Sequence, residues 1–236
     1  MAQSVDGQVR LLGISGSPRR NGNTDRAVAA AVDHAARLGG VEAEFCGLAA
    51  SQVNYCRGCV EICHPTYAGR ADTAGSQEPP WALCRHQDGI TDLLGKMVGA
   101  DAILIGSPVY FGGVSALLKT LMDRSTSLVS IETDGRYGSA LAGKIGGAIA
   151  VGGARHGGQE AVLQQICTYF QLLQVTPVDF SEYGDQCHGI ACVAALPGEI
   201  ERDDWRIPVI GTSTSSIRQV KLYVEKLVAR AINRLA

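Results

Sequence analysis

Five short apolar runs, most of them followed by a stretch with helical spacing, constrain this chain more than any other feature of it. Residues 9–15 (VRLLGIS), 102–109 (AILIGSPV) and 144–151 are apolar nearly throughout, as strands buried on both faces must be. Residues 41–48 alternate as a second strand, and a fifth strand is expected over 175–180. Between them, the spacing predicts helices over 23–38, over 90–98 (Ile90, Leu93, Leu94, Met97, Val98), over 114–124 and over 159–173. Asn23 and Thr24 stand where the first helix would be capped, and an amphipathic helix over 215–235 closes the chain. Strands apolar on both sides need cover on both sides. The fold class is therefore α/β, a doubly wound five-stranded parallel sheet. Right-handed crossovers and strand order 2-1-3-4-5 open a ligand crevice at the carboxyl ends of strands one and three.

One stretch does not fit that rhythm. Residues 51–87 carry no sustained period, are turn-rich in their later part and are too long for an ordinary connection. We read residues 1–236 as a single domain, with 51–87 a cysteine-rich insertion and 184–236 a C-terminal extension and helix. The charged residues, 19% of the chain, nearly balance in sign, which argues against a nucleic-acid partner. No apolar run reaches the ~20 residues of a membrane span, and no export signal precedes the first strand, so a cytoplasmic protein is expected.

The first strand leads into Ser15-Gly16-Ser17-Pro18-Arg19-Arg20-Asn21-Gly22-Asn23-Thr24 at the start of a helix. Ser15, Ser17, Arg19, Asn21, Asn23 and Thr24 supply hydroxyl, guanidinium and amide donors there, beside the positive end of the helix dipole. A phosphate group needs that combination. A plain Ser/Gly-rich capped turn is the competing reading. The pattern is neither a dinucleotide fingerprint nor a P-loop, because no Gly-Lys-Ser/Thr follows.

GISGSPRRNGNT resembles the phosphate loop of the NADPH-dependent FMN reductase and iron–sulfur flavoprotein families, which are flavodoxin-like. The resemblance continues in Ser107-Pro108-Val109-Tyr110-Phe111-Gly112-Gly113-Val114-Ser115, in Leu118-Lys119 and in Leu121-Met122-Asp123-Arg124, and again in the loop from Gly152 to Glu160. It implies FMN as cofactor, with the ring held against Pro108, Val109, Tyr110, Phe111 and Gly112, and with Gly153, Arg155 and His156 on a third side. Tyr110 and Phe111 either flank the ring or pack in the core at a strand end. His156 stands in a Gly-rich loop where a solvated side chain is the bland alternative.

Eight cysteines are many for a chain of this kind. Cys56-x2-Cys59-x3-Cys63 lies in the aperiodic segment, and Cys84 follows after twenty residues. The resemblance implies a [4Fe–4S] cluster on Cys56, Cys59, Cys63 and Cys84, although the second gap is wider than the usual pattern and the third carries an insertion. A zinc site, with His64 or His86 as a further ligand, and a site of free thiols remain open. Cys46 and Cys167 read as core residues, and Cys187 and Cys192 as buried structural thiols, with additional ligands or a redox pair as the alternatives.

The expected function is an FMN-dependent oxidoreductase with a [4Fe–4S] cluster, passing electrons between NAD(P)H or ferredoxin and an acceptor. Its partner is then a small-molecule substrate or a ferredoxin-like electron-transfer protein. One alternative is a flavin-dependent dehydrogenase of a small anionic, chorismate-like metabolite, with a pocket built around Arg70 and Trp81 or from residues 184–216. Another is a non-enzymatic electron carrier. No acid–base triad or paired carboxylates stand out, so no catalytic side chain is assigned. Relatives of this kind imply a homodimer or homotetramer.

Overall fold

The computed structural model describes residues 8–59, 63, 84–131, 137–153, 157–178, 190–193 and 214–235. Its centre is a parallel sheet in which β2 (Val41–Gly47), β1 (Val9–Ser15), β3 (Ala102–Pro108), β6 (Ile145–Gly152) and β7 (Thr176–Pro177) lie side by side in that order. This is the expected 2-1-3-4-5 order. The numbering shifts because a small antiparallel hairpin, β4 (Val129–Ile131) and β5 (Tyr137–Ser139), intervenes before β6.

Alternate side chains of each strand enter different layers. From β1, Leu11 joins Val28, Val32, Leu104, Val224 and Leu227 beneath α1 (Asn23–Ala35) and α5 (Thr214–Leu235). Leu12 and Ile14 join the opposite layer, under α2 (Gly89–Gly99), α3 (Ala116–Arg124) and α4 (Gln159–Leu172), with Leu94, Leu121 and Phe170. Each such fully buried side chain contributes about 1.5–3 kcal/mol, so the central strands anchor the fold. The edge strand β2 is half-exposed, in keeping with its alternating sequence. Tyr223 of α5 is buried and pins that helix to the sheet: its hydroxyl donates to Val178 O at 2.7 Å and accepts from Ala148 N at 3.1 Å.

Three local expectations are corrected. The first helix ends at Ala35, and the chain then turns through Gly39 and Gly40, both at positive φ. Its N-cap is Gly22 without a side-chain bond, so Asn23 and Thr24 are the first helical residues and not caps. Within the described residues 175–178 the fifth strand comprises Thr176–Pro177, and 179–180 lie outside the described residues. Thr176 N and Val178 N bond Lys144 O and Gly146 O, the Tyr223 hydroxyl then stands between Val178 O and Ala148 N, and further along β6 pairs with β8 (Ile190–Val193). Cys192 thus lies in the sheet, in register with Val151. Cys187, Arg70 and Trp81 fall outside the described residues, as do most of 51–87 and of 184–213.

Candidate functional site

Three loops leave the carboxyl ends of the adjacent strands β1, β3 and β6, and backbone bonds tie them into one body. Gly16 N donates to Gly106 O at 2.8 Å, the Ser115 hydroxyl donates to Gly16 O, and Ser115 N donates to Ser107 Oγ at 3.1 Å. On the other side Val109 N donates to Val151 O at 2.9 Å. Gly158 sits so close to Gly112 that an added Cβ would stand 3.0 Å from the Gly112 Cα.

The first loop is organised from inside. Asp25, in the first turn of α1, accepts the Ser15 hydroxyl and, at 2.7 Å, Asn21 N. Ser17 Oγ donates to Arg19 O at 3.0 Å and accepts Arg19 N at 3.1 Å. Ser15, Ser17, Asn23 and Thr24 are buried, whereas Arg19 and Asn21 are exposed at the rim. Asp25 is a residue the sequence reading passed over. The available signal was an acidic residue three positions after Gly22, at the site from which a side chain reaches back over a helix start.

The second loop is a tight hairpin turn. Tyr110 N and Gly113 N each bond the other residue's carbonyl at 3.0 Å, and the two central residues, Phe111 (φ 50°) and Gly112 (φ 73°), both take positive φ. Such a turn favours Gly or Asn, and a bulky side chain there costs about 1–2 kcal/mol. The Phe111 ring is fully exposed and Tyr110 is 42% exposed, so neither is a core residue. The packing alternative for Phe111 is thereby removed. Pro108 and Val109 are half-buried at the end of β3 and Gly153 is exposed after β6; Arg155 and His156 lie outside the described residues.

A second assembly lies at the far end of α3. Cys56, Cys59, Cys63 and Cys84 line one cavity together with His86 and Arg124. Gly58 N donates to Cys56 Sγ at 3.4 Å, and Cys63 N donates to Cys59 O at 3.2 Å. Burial, and then the neighbouring Cys59, Cys84 and Cys56, push the Cys63 thiol up to about 12. Cys46, Cys56, Cys59, Cys63, Cys84 and Cys167 are all free thiols. Among the described residues no three ligand side chains close in on a single ion. His64 lies outside the described residues, and His86 has a buried Nε2 with no hydrogen-bond partner. Cys167 is buried as expected, while Cys46 is only half-buried, on the edge strand beside Glu44 and Lys96.

Arg124 holds this assembly in place. Its side chain is 0% exposed, and all five N–H bonds of its guanidinium have acceptors. Nε donates to Cys84 Sγ at 3.3 Å; Nη1 to Asn54 O at 3.0 Å and Asp88 Oδ2 at 2.7 Å; Nη2 to His86 O at 3.2 Å and Thr91 Oγ1 at 2.8 Å. Asp88 also accepts Asn54 N and Nδ2, and caps α2 at Ile90 N and Thr91 N. Burial would push the Asp88 carboxyl up, but the bonds from Arg124 and Asn54 outweigh it and hold the group well below the usual carboxylate range. The sequence reading noted Arg124 only as the end of a signature, since nothing local marks an arginine as buried.

Strand order, crossovers and strand-end loops define the class: a doubly wound α/β domain of flavodoxin type. The structural likenesses agree. A WrbA-like flavodoxin from Agrobacterium tumefaciens superposes with a TM-score of 0.55 at 15% identity, covering 96% of this chain and 99% of that one. RosB, solved with bound 8-demethyl-8-formylriboflavin-5'-phosphate, gives 0.61 at 16% identity, with 95% and 79% covered. Residues 9–184 match the family described as NADPH-dependent FMN reductase, and the chain belongs to that family of flavin-dependent oxidoreductases. Among its relatives, an iron–sulfur flavoprotein of Methanocaldococcus jannaschii is 36% identical over 92% of this chain and the whole of its own length. Another, from Archaeoglobus fulgidus, is 35% identical over 74% of this chain and 77% of its own. Among the described residues, no helix is long and apolar enough to cross a membrane.

Proposed function

We propose that this chain is an FMN-dependent oxidoreductase with a [4Fe–4S] cluster on Cys56, Cys59, Cys63 and Cys84, taking electrons from NAD(P)H or a ferredoxin-like carrier. The observation that carries the reading is the convergence of four thiols from two distant segments on one cavity. Burial and the neighbouring Cys59, Cys84 and Cys56 make Cys63 resist ionising in an empty site, and a cationic centre beside its sulfur would offset that. The orphaned His86 Nε2 would find acceptors on the cluster or its thiolates. The names of the iron–sulfur flavoprotein relatives point the same way.

The chain's own part in the flavin site is to bind and orient. Ser17, Arg19, Asn21, Asn23 and Thr24 would meet the phosphate at the α1 N-terminus, while Ser15 holds the loop's shape through Asp25. Pro108, Val109, Tyr110, Phe111 and Gly112 would lie along the ring, with Gly153, Arg155 and His156 on the third side. Phe111, held out at the tip of a tight turn, would cover the ring or a neighbouring copy, which accords with a homodimer or homotetramer. When bound, FMN exchanges electrons in pairs or singly and the cluster singly, which lets the protein link two-electron and one-electron carriers.

Anaerobic purification followed by an absorption spectrum before and after NADPH, with iron, sulfide and released-flavin analysis, tests the proposal. The expected result is stoichiometric FMN, iron and sulfide in equal amounts, and bleaching of the flavin on adding NADPH or a reduced ferredoxin. Flavin without iron would remove the cluster, and a protein that takes up no FMN would overturn the whole reading.

A further inference from the structure

The cysteine centre is assembled from two limbs. One carries Cys56, Cys59 and Cys63; the other starts at Cys84 and runs into the cap of α2 at Asp88. Cys56, Cys59 and Cys84 lie outside regular structure and Cys63 is helical, so the fit of one limb against the other must be set by bonds from elsewhere. Of the five acceptors on Arg124, Asn54 O belongs to the first limb, while Cys84 Sγ, His86 O and Asp88 Oδ2 belong to the second. The fifth, Thr91 Oγ1, shares its one hydroxyl hydrogen between Cys84 O at 3.2 Å and His86 O. A buried cation with one donor on a cysteine sulfur and the rest on the chain that carries the cysteines is an unusual use of an arginine. The neighbouring Asp88 compensates its charge, so the arrangement is not simply an unpaired cation seeking an anion.

We propose that Arg124 is the positioning residue of the cysteine centre, joining its two limbs and, by donating to Cys84 Sγ, raising the reduction potential of the cluster bound there. The inference rests on the cluster reading above. Its physical basis is separate: a planar, permanently charged fork fixes several acceptors at once, which a lysine cannot do. Outer partners that orient metal ligands typically govern metal affinity by 10–100-fold. One-electron reduction adds a negative charge to the centre, and a hydrogen bond to a ligand sulfur favours that charge.

The test compares wild type with R124K, R124Q and the charge-balanced D88N/R124Q. The last guards against a single variant that fails to fold around an unpaired Asp88, and retained FMN together with circular dichroism certifies the fold. Chelator-stripped, reduced protein is titrated with Co(II), read by its thiolate charge-transfer absorption. Reconstituted protein is titrated electrochemically under EPR. We expect Co(II) to bind 10–100-fold more weakly in all three variants. The cluster potential should fall in R124Q and D88N/R124Q while the flavin potential stays unchanged. Folded D88N/R124Q that binds Co(II) as wild type does, or that keeps the wild-type cluster potential, would overturn the proposal. Wild type that never takes up iron and sulfide would overturn the cluster reading, and with it the potential effect; the Co(II) comparison would still decide the positioning role.

Discussion

Adding a single methyl group to β3 should separate α1 from the sheet, and removing two methyl groups from α1 should bring it back. A Cβ built on Gly106 would lie 2.4 Å from Val28 Cγ2 and 3.1 Å from Thr24 Cγ2, both on α1. Real Cβ atoms do not approach so closely, so G106A must move the helix or the strand. Overpacking of this kind costs about 1–3 kcal/mol. The smaller entropy of an unfolded chain with Ala in place of Gly returns about 0.4–1 kcal/mol. Val28 is wholly buried, so V28A alone loses about 0.8 kcal/mol for each methyl removed and leaves a cavity, for a total of about 2–3 kcal/mol. In the double variant the new methyl enters the space that Val28 has vacated. V28A/G106A should therefore be less destabilised than the sum of the single variants by at least ~1 kcal/mol, a clear coupling for residues in contact. Urea unfolding of the flavin-free protein measures all three differences. FMN dissociation gives a second readout, because the displaced helix start carries Thr24. If the two costs simply add, to within about 0.5 kcal/mol, the close approach of α1 to the sheet is not what Gly106 provides.

Three other perturbations are worth making. Asp88→Ala should cost about 3–5 kcal/mol at pH 7, because it strands a buried Arg124. The Asp88 pKa is lowered on folding, so this contribution is complete above the unfolded carboxylate pKa of about 4 and is lost as pH falls below it; a wild-type advantage unchanged from pH 7 down to pH 3 would contradict the ion pair. Lys144 donates to Val98 O and Ala100 O, and burial brings its ammonium down to about 8. Between about pH 8 and 10 the unfolded chain binds more protons than the folded one, so stability relative to K144M should rise with pH by ~1–2 kcal/mol once solvent screening is discounted; thermal melts across that range would show no such slope if the group were freely solvated. Phe111→Gly should raise the melting temperature of flavin-free protein, equivalent to about 1 kcal/mol, because glycine suits positive φ, while weakening FMN retention. An FMN dissociation constant unchanged in that variant would remove Phe111 from the flavin site.

The central sheet was readable from sequence because β1, β3 and β6 are buried on both faces, and burial of that kind leaves an almost unbroken apolar run. The hairpin 129–139 was not, since three residues per strand are too few to show alternation. The fifth strand was only partly legible: Thr176 and Pro177 pair with β6 as expected, but sequence could not show that the Tyr223 hydroxyl takes the next rung or that residues 190–193 join β6 further along. The three strand-end loops were located from sequence, but their inner order was hidden. Ser15 reads as a donor for a ligand, and only the folded chain turns its hydroxyl to Asp25. At the cysteines, spacing located the thiols but not the 36-residue link from Asp88 to Arg124, a tertiary contact between residues that are individually unremarkable.

Helix α3 touches both assemblies: its cap, Ser115, bonds Gly16 O in the first loop, and its last residue, Arg124, reaches the cysteines. At about 1.5 Å per residue the helix sets a spacing of ~14 Å between them, and at ~100° per residue the nine steps from 115 to 124 turn half a revolution past whole turns. The helix thus works as a ruler that fixes both distance and facing. One inserted residue would lengthen it only slightly but swing Arg124 by ~100°, away from Cys84 and Asp88. Chains that keep both centres are therefore free to vary the exposed side chains of this helix, such as Ala116 and Lys119, but not its length.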